Sequence, residues 1–197
     1  MANTDAAFGL KPIRYRDGAP YNGAVKRYYI GTGDSNNLFI GDVVALSGSG
    51  DSATGVPGIV RHTAGAGSSA GDGPVGVVMG FENLTSDNLS RTYRPASTAM
   101  FVFVADSPNL VFIAQEDSDT STLDQDDIGL NANIVIGTGS TTTGVSAVEI
   151  DSNTAATTAT LDLRILGLHR RPDNEIGTNA IWEVMLNNHP WLSLEGE

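Results

Sequence analysis

The densest run of reactive side chains is EDSDTSTLDQDD, residues 116–127. Asp117, Asp119 and Ser121 carry the opening spacing of a calcium loop, in which hard oxygen ligands converge on one cation. The pattern then breaks. Its sixth position, where the sharp turn needs glycine, is Thr122, and Ile128 stands where a bidentate glutamate would close the loop. The segment reads first as a solvated acidic loop and second as a loose calcium site. His62, His169 and His189 form no HxH or HExxH pair that would bring two imidazoles to one metal. There is no GxSxG elbow to supply a nucleophile and no cysteine for thiol chemistry or thiolate ligands. Carboxylate pairs for glycoside hydrolysis depend on a three-dimensional separation, and nothing in the sequence singles one out.

Phosphate chemistry fares no better. A P-loop requires lysine directly after its last glycine, and the only lysines are Lys11 and Lys26. The glycine-rich stretches GTGDSN and GAGSSAG miss the dinucleotide-binding spacing as well. The sequence therefore points away from an enzyme and toward no cofactor. A net charge of −12 argues against nucleic acid as a partner, since binding phosphates takes basic surface. The N-terminus lacks a signal-peptide pattern and no apolar run reaches the roughly 18 residues of a membrane helix, so a soluble chain made in the cytoplasm, with no membrane partner, is expected.

The elements that would position these residues follow a strand and turn grammar. Short apolar or alternating runs fall at 24–30, 38–46, 58–62, 74–82, 98–105, 110–115, 132–136, 160–167 and 181–187, separated by Gly, Ser, Thr, Asn and Asp. AMFVFVA at 99–105 is the clearest, because β-branched and aromatic side chains suit a pleated surface. Asp-Ser-Pro-Asn at 106–109 predicts a hairpin or corner before LVFIAQ. In TLDLRILGL, Leu161, Leu163 and Ile165 alternate with Asp162 and Arg164, which predicts one inward and one outward face. Short helices are conceivable at 85–93 and 146–150, and loops are expected at 47–55, 63–74 and 151–160. The pattern predicts an all-β fold, a β-sandwich or β-tulip-like barrel with little helix.

The N-terminus differs from the rest. Within residues 1–30, five basic residues against two acidic ones give +3, so the remaining chain carries −15 of the total −12. Four of the five tyrosines are there too: Tyr15, Tyr21, Tyr28 and Tyr29. Residues 1–23 read as an extended arm on a single β-rich domain, 24–197, and such an arm suits docking on an acidic surface. That surface is either a partner or the protein's own body.

Four blocks carry a resemblance to a known family: AFGLKPIRYRDGAPYNGAVKRYYI at 7–30, LFIGDVVALSG at 38–48, PVGVVMGFE at 74–82 and RRPDNEIGTNAIWEVMLNNHPW at 170–191. The chain resembles the capsid cement or head decoration proteins of tailed bacteriophages. The resemblance implies a virion structural protein, often trimeric, that sits on the outer capsid surface and bridges neighbouring copies of the major capsid protein. Phe8, Leu10, Pro12, Arg14, Tyr15, Arg16, Tyr21, Lys26 and Arg27 are then the expected contacts with the capsid or a neighbouring subunit, as Tyr and Arg make good interface anchors. Two alternatives stay open: the major capsid protein itself, for which the chain is short and lacks a long helix, and a surface carbohydrate- or calcium-binding module built on 116–127.

Overall fold

The computed structural model describes residues 3–66, 73–82 and 91–192. The strands are β1 (Lys11–Tyr15), β2 (Lys26–Ile30), β3 (Val43–Gly50), β4 (Pro57–Arg61), β5 (Gly76–Phe81), β6 (Met100–Ala105), β7 (Leu110–Gln115), β8 (Asn131–Ala132), β9 (Ile134–Ile136), β10 (Val148–Ile150), β11 (Leu163–Leu168) and β12 (Ile181–Leu186). Helical structure among the described residues is confined to 3-10 turns at Gln125–Asp127, Ser152–Thr154 and Pro190–Leu192. The fold is mostly β, with two multi-stranded sheets.

In the first sheet the pairings run β2–β4–β3–β5–β6, and β6 pairs back onto β2. The β2–β4 seam is parallel and rests on a single bridge, Tyr29 to Gly58. The second sheet has the order β1–β7–β12–β11–β8, and β9 and β10 form a separate ribbon. β6 and β7 belong to different sheets, so Asp-Ser-Pro-Asn at 106–109 makes a corner. The chain crosses there from one layer to the other.

Two hydrophobic cores result. One, enclosed by the first sheet, gathers Tyr28, Ile30, Val44, Ile59, Val78, Val102 and Val104. The other packs the second sheet and the ribbon around Leu10, Phe112, Ile134, Val148, Ile150, Ile165, Trp182 and Val184. Successive residues of the first sheet divide between them: Val43, Val77 and Ala105 face the second core, while their neighbours Val44, Val78 and Val104 face the first. Side chains alternate across a strand, so a strand buried on both faces reads as an unbroken apolar run.

Three of the sequence blocks meet at one junction. The Leu10 amide donates to the Gly41 carbonyl at 2.9 Å, and the Gly41 amide donates to the Val78 carbonyl at 2.9 Å. Gly9 and Gly41 have φ of +74° and +97°, and a Cβ on Gly9 would stand 2.6 Å from the Gly41 oxygen. Only glycine fits both the conformation and the approach. Beside them, buried Asp42 accepts from the Phe39 amide at 2.8 Å and from the Ser146 hydroxyl at 2.5 Å. Burial pushes the Asp42 carboxyl upward, and these bonds oppose the shift.

Several expectations need correction. Residues 11–15 form a strand of the second sheet, because Lys11–Tyr15 pairs antiparallel with β7 along its length. Residues 146–150 hold strand β10 rather than a helix, since Val148 and Ile150 alternate inward against Ile136 and Ile134. β3 continues to Gly50, into the expected 47–55 loop. Asp162, expected outside, is buried by its bonds to His62 and two backbone amides, and a bulge between Ile165 and Gly167 breaks the alternation of β11. The expected helix at 85–93 lies mostly outside the described residues, as do 67–72 of the expected 63–74 loop.

Candidate functional site

The N-terminal segment is bound to the protein's own body. Asn3 donates to the Glu175 and Thr178 carbonyls at 2.8 and 3.0 Å. The Gln115 side chain accepts from the Ala6 amide at 2.9 Å and donates to the Thr4 carbonyl at 2.8 Å. Leu10 and Pro12 are buried. Phe8 is half-buried, with the Lys11 ammonium 5.3 Å from its ring centre. Of the two docking surfaces left open by composition, residues 3–15 occupy the body.

The nine expected contact residues divide accordingly. Arg14 is engaged by Glu183 at 2.6 Å, and Glu183 also meets His169 Nδ1 at 3.1 Å. Arg27 pairs with Glu82 at 2.5 Å and lies 3.6 Å over the Phe101 ring. Tyr15 ends β1, Lys26 opens β2, and Arg16 and Tyr21 lie in the segment between them. The Tyr15 and Tyr21 ring centres are 6.5 Å apart. Tyr15, Val25, Lys26, Pro108 and Trp191 line one depression there. Val25 and Trp191 are 40% and 48% exposed, and Leu192 follows at 66%.

Beneath this patch sits a buried polar support. Asp106 accepts from the Tyr28 hydroxyl at 2.7 Å and pairs with Lys26 Nζ at 3.0 Å. Burial, then the Asp106 carboxylate, drives the Tyr28 hydroxyl well above its usual range, so it remains a donor. His189 Nδ1 accepts from the Trp191 amide at 3.2 Å, and burial pushes the imidazole down to about 4. A neutral ring thus shapes the turn that presents Trp191. Trp191, Val25 and Leu192 were missed from sequence; the exposed Trp-Leu after His189-Pro190 was the available signal.

The other two histidines each meet a carboxylate. His62 Nε2 meets Asp162 Oδ1 at 2.7 Å, with both side chains buried. Asp162 Oδ2 accepts from the Gly65 and Ile134 amides at 3.0 and 3.1 Å, which ties the end of β4 to the second sheet. Arg94, also buried, donates to the carbonyls of Thr98, Asn36 and Gly31, each at 2.7 Å. Its role is to hold the loops around β2 and β6 together.

The acidic loop closes differently from a calcium loop. One carboxylate oxygen from each of Asp117, Asp119 and Asp151 lies within 4.8 Å of the others, so the third acid comes from beyond β10 instead of from 116–127. Ser152 donates to Asp117 at 2.9 Å, and Asn153 donates to Asp119. Behind them Glu116 is fully buried: Oε2 accepts from the Leu123 amide at 2.8 Å, and Oε1 has no hydrogen-bond partner among the described residues. Burial lifts Glu116 to about 7, and burial with Asp5 and Asp117 lifts Glu149 to about 7. Such a group of hard oxygens suits a proton or a divalent cation. Compared with known proteins, the chain matches no family model, no curated protein and no solved structure.

Proposed function

We propose that this chain is a non-enzymatic virion structural protein that attaches to the outer surface of a tailed-phage capsid and bridges neighbouring copies of the major capsid protein, as a homotrimer made in the host cytoplasm. The observation that carries the reading is the depression lined by Tyr15, Val25, Lys26 and Trp191, with Val25 and Trp191 exposed, on an otherwise acidic molecule. Large amphipathic side chains beside a cation are what interfaces use as anchors. The resemblance of the sequence blocks supplies the capsid as the surface. In this reading the first sheet is a small five-stranded barrel, the second sheet packs beside it, and the short segment between β1 and β2 replaces a long arm as the contact.

The test is attachment to particles produced by the genome that encodes the chain. Wild type is expected at a fixed ratio to the major capsid protein, and Val25→Asp, at an exposed position outside the strands, is expected to abolish co-sedimentation with little change in melting temperature. Attachment of that variant at wild-type occupancy would remove this surface from the mechanism, and absence of the protein from purified particles would sink the proposal.

A second reading, a calcium-dependent surface module, is favoured by Asp151 completing a three-carboxylate cluster with Asp117 and Asp119. A ligand that binds only the native state raises its melting temperature by mass action. The expected result is a rise with calcium that Asp151→Asn removes; no shift at millimolar calcium excludes this reading.

A further inference from the structure

We infer that a groove of about 850 Å³ beside the aromatic end binds an extended acidic segment with apolar side chains, contributed by a partner protein. The inference rests on the reading of this chain as a binding protein and names the chemistry of what it holds. The groove is lined by residues of β11 and β12, with Ile128 and Leu192 also in its wall. It is continuous with the aromatic end through Pro108, which lines both depressions. Leu166 and Met185 line it with half-buried apolar side chains, and Ile128 and Leu192 are exposed there at 49% and 66%. Exposed large apolar side chains grouped in this way mark an interaction surface rather than ordinary surface scatter.

Charge selects the occupant. The chain has 23 acidic residues, yet no Asp or Glu is found among the described residues lining the groove, whereas Arg16 and Arg164 both are. Four of the other arginines are spent within the fold: Arg14 on Glu183, Arg27 on Glu82, Arg171 on Asp173 and Arg94 on three carbonyls. Arg16 is exposed, and its guanidinium has no partner among the described residues. Arg164 is engaged by a neutral group, Asn131 Oδ1, at 2.5 Å. A molecule this acidic that keeps carboxylates out of one apolar groove while placing two arginines in it is complementary to an acidic chain. Arginine's planar fork then adds geometric preference for carboxylates. An extended segment alternates its side chains, which would set apolar groups on Leu166 and Met185 and acidic groups toward Arg16 and Arg164.

The probe is a labelled short peptide alternating glutamate with leucine, measured by fluorescence anisotropy against its counterpart alternating lysine with leucine. The full-length protein is expected to bind the first, to lose affinity as salt rises, and to ignore the second. Arg16→Gln, which breaks no contact of the fold, is expected to weaken binding about tenfold, the loss of one charge-assisted hydrogen bond. Equal binding of both peptides, or unchanged affinity in Arg16→Gln, overturns the inference. So does sedimentation showing that the groove is filled by a second copy, with wild type oligomeric and Arg16→Gln monomeric while neither binds peptide. Capsid attachment is scored separately: peptide discrimination without attachment leaves the groove standing and refutes the capsid reading, and attachment without discrimination does the reverse.

Discussion

Replacing Glu116 by glutamine isolates the contribution of one buried carboxylate to the pH dependence of folding. Glu116 is fully buried, with Oε2 on the Leu123 amide and Oε1 without a hydrogen-bond partner among the described residues, and burial lifts it from an ordinary 4.5 to about 7. The native state therefore holds a proton that the unfolded chain releases above about 4.5. Stability from this group is fully present below the unfolded value, is lost as pH rises through about 7, and stays lost beyond. A difference of this size corresponds to about 3 kcal/mol as an upper bound, and about 2–3 kcal/mol is a working figure. Glutamine keeps an oxygen for the Leu123 amide and does not titrate. Urea denaturation of wild type and Glu116→Gln at pH 5 and pH 8 gives the assay. His189, held near 4 by burial, imposes the opposite slope below its ordinary 6.5, and Glu149 adds to the fall, but both are common to the two proteins and cancel in the difference. The variant is expected to gain about 2–3 kcal/mol relative to wild type between pH 5 and pH 8. Parallel stability curves would refute the assignment of the buried charge to Glu116.

Deleting residues 1–23 removes β1 and Leu10 from the second core, so the shortened chain is expected to lose cooperative unfolding and near-ultraviolet circular dichroism; a folded body would show that β1 is dispensable. Gly41→Ala forces a Cβ to 2.8 Å from the Phe8 carbonyl at φ +97°, and a loss of about 2–4 kcal/mol with faster hydrogen exchange at the Leu10 amide is expected. Arg94→Met strands three carbonyls in a buried site, which should lower stability by about 3 kcal/mol in thermal or urea unfolding. A change below the measurement error in either substitution would count against the packing described.

Local pattern was enough for most of the strands. The runs at 24–30, 58–62, 74–82, 98–105, 110–115, 132–136, 160–167 and 181–187 each contain or overlap an observed strand, and 38–46 holds the start of β3, because β-branched and apolar residues between turn formers constrain the backbone locally. β1 was hidden by Pro12, Arg14 and Arg16, which look like an irregular arm; its strand character comes from β7, about 100 residues away in the chain, which supplies the backbone partners. The same holds for Val148–Ile150, whose three residues are strand only because β9 lies beside them.

The chemistry divides along the same line. Sequence alone established what is missing, cysteine pairs, phosphate loops and paired metal-binding histidines, and where basic and aromatic residues concentrate, since these are properties of composition and spacing. Which of the basic and aromatic residues stay available was a tertiary decision. Glu183 and Glu82 took Arg14 and Arg27, the second core took Leu10, and the turn after β12 brought Trp191 to Lys26 and Leu192 to the groove beside it. Asp151 joined Asp117 and Asp119 in the same way, across more than 30 residues of chain. Spacing along a chain predicts neighbours within one turn or one strand; convergence between strands depends on sheet order and register, which only the folded molecule sets.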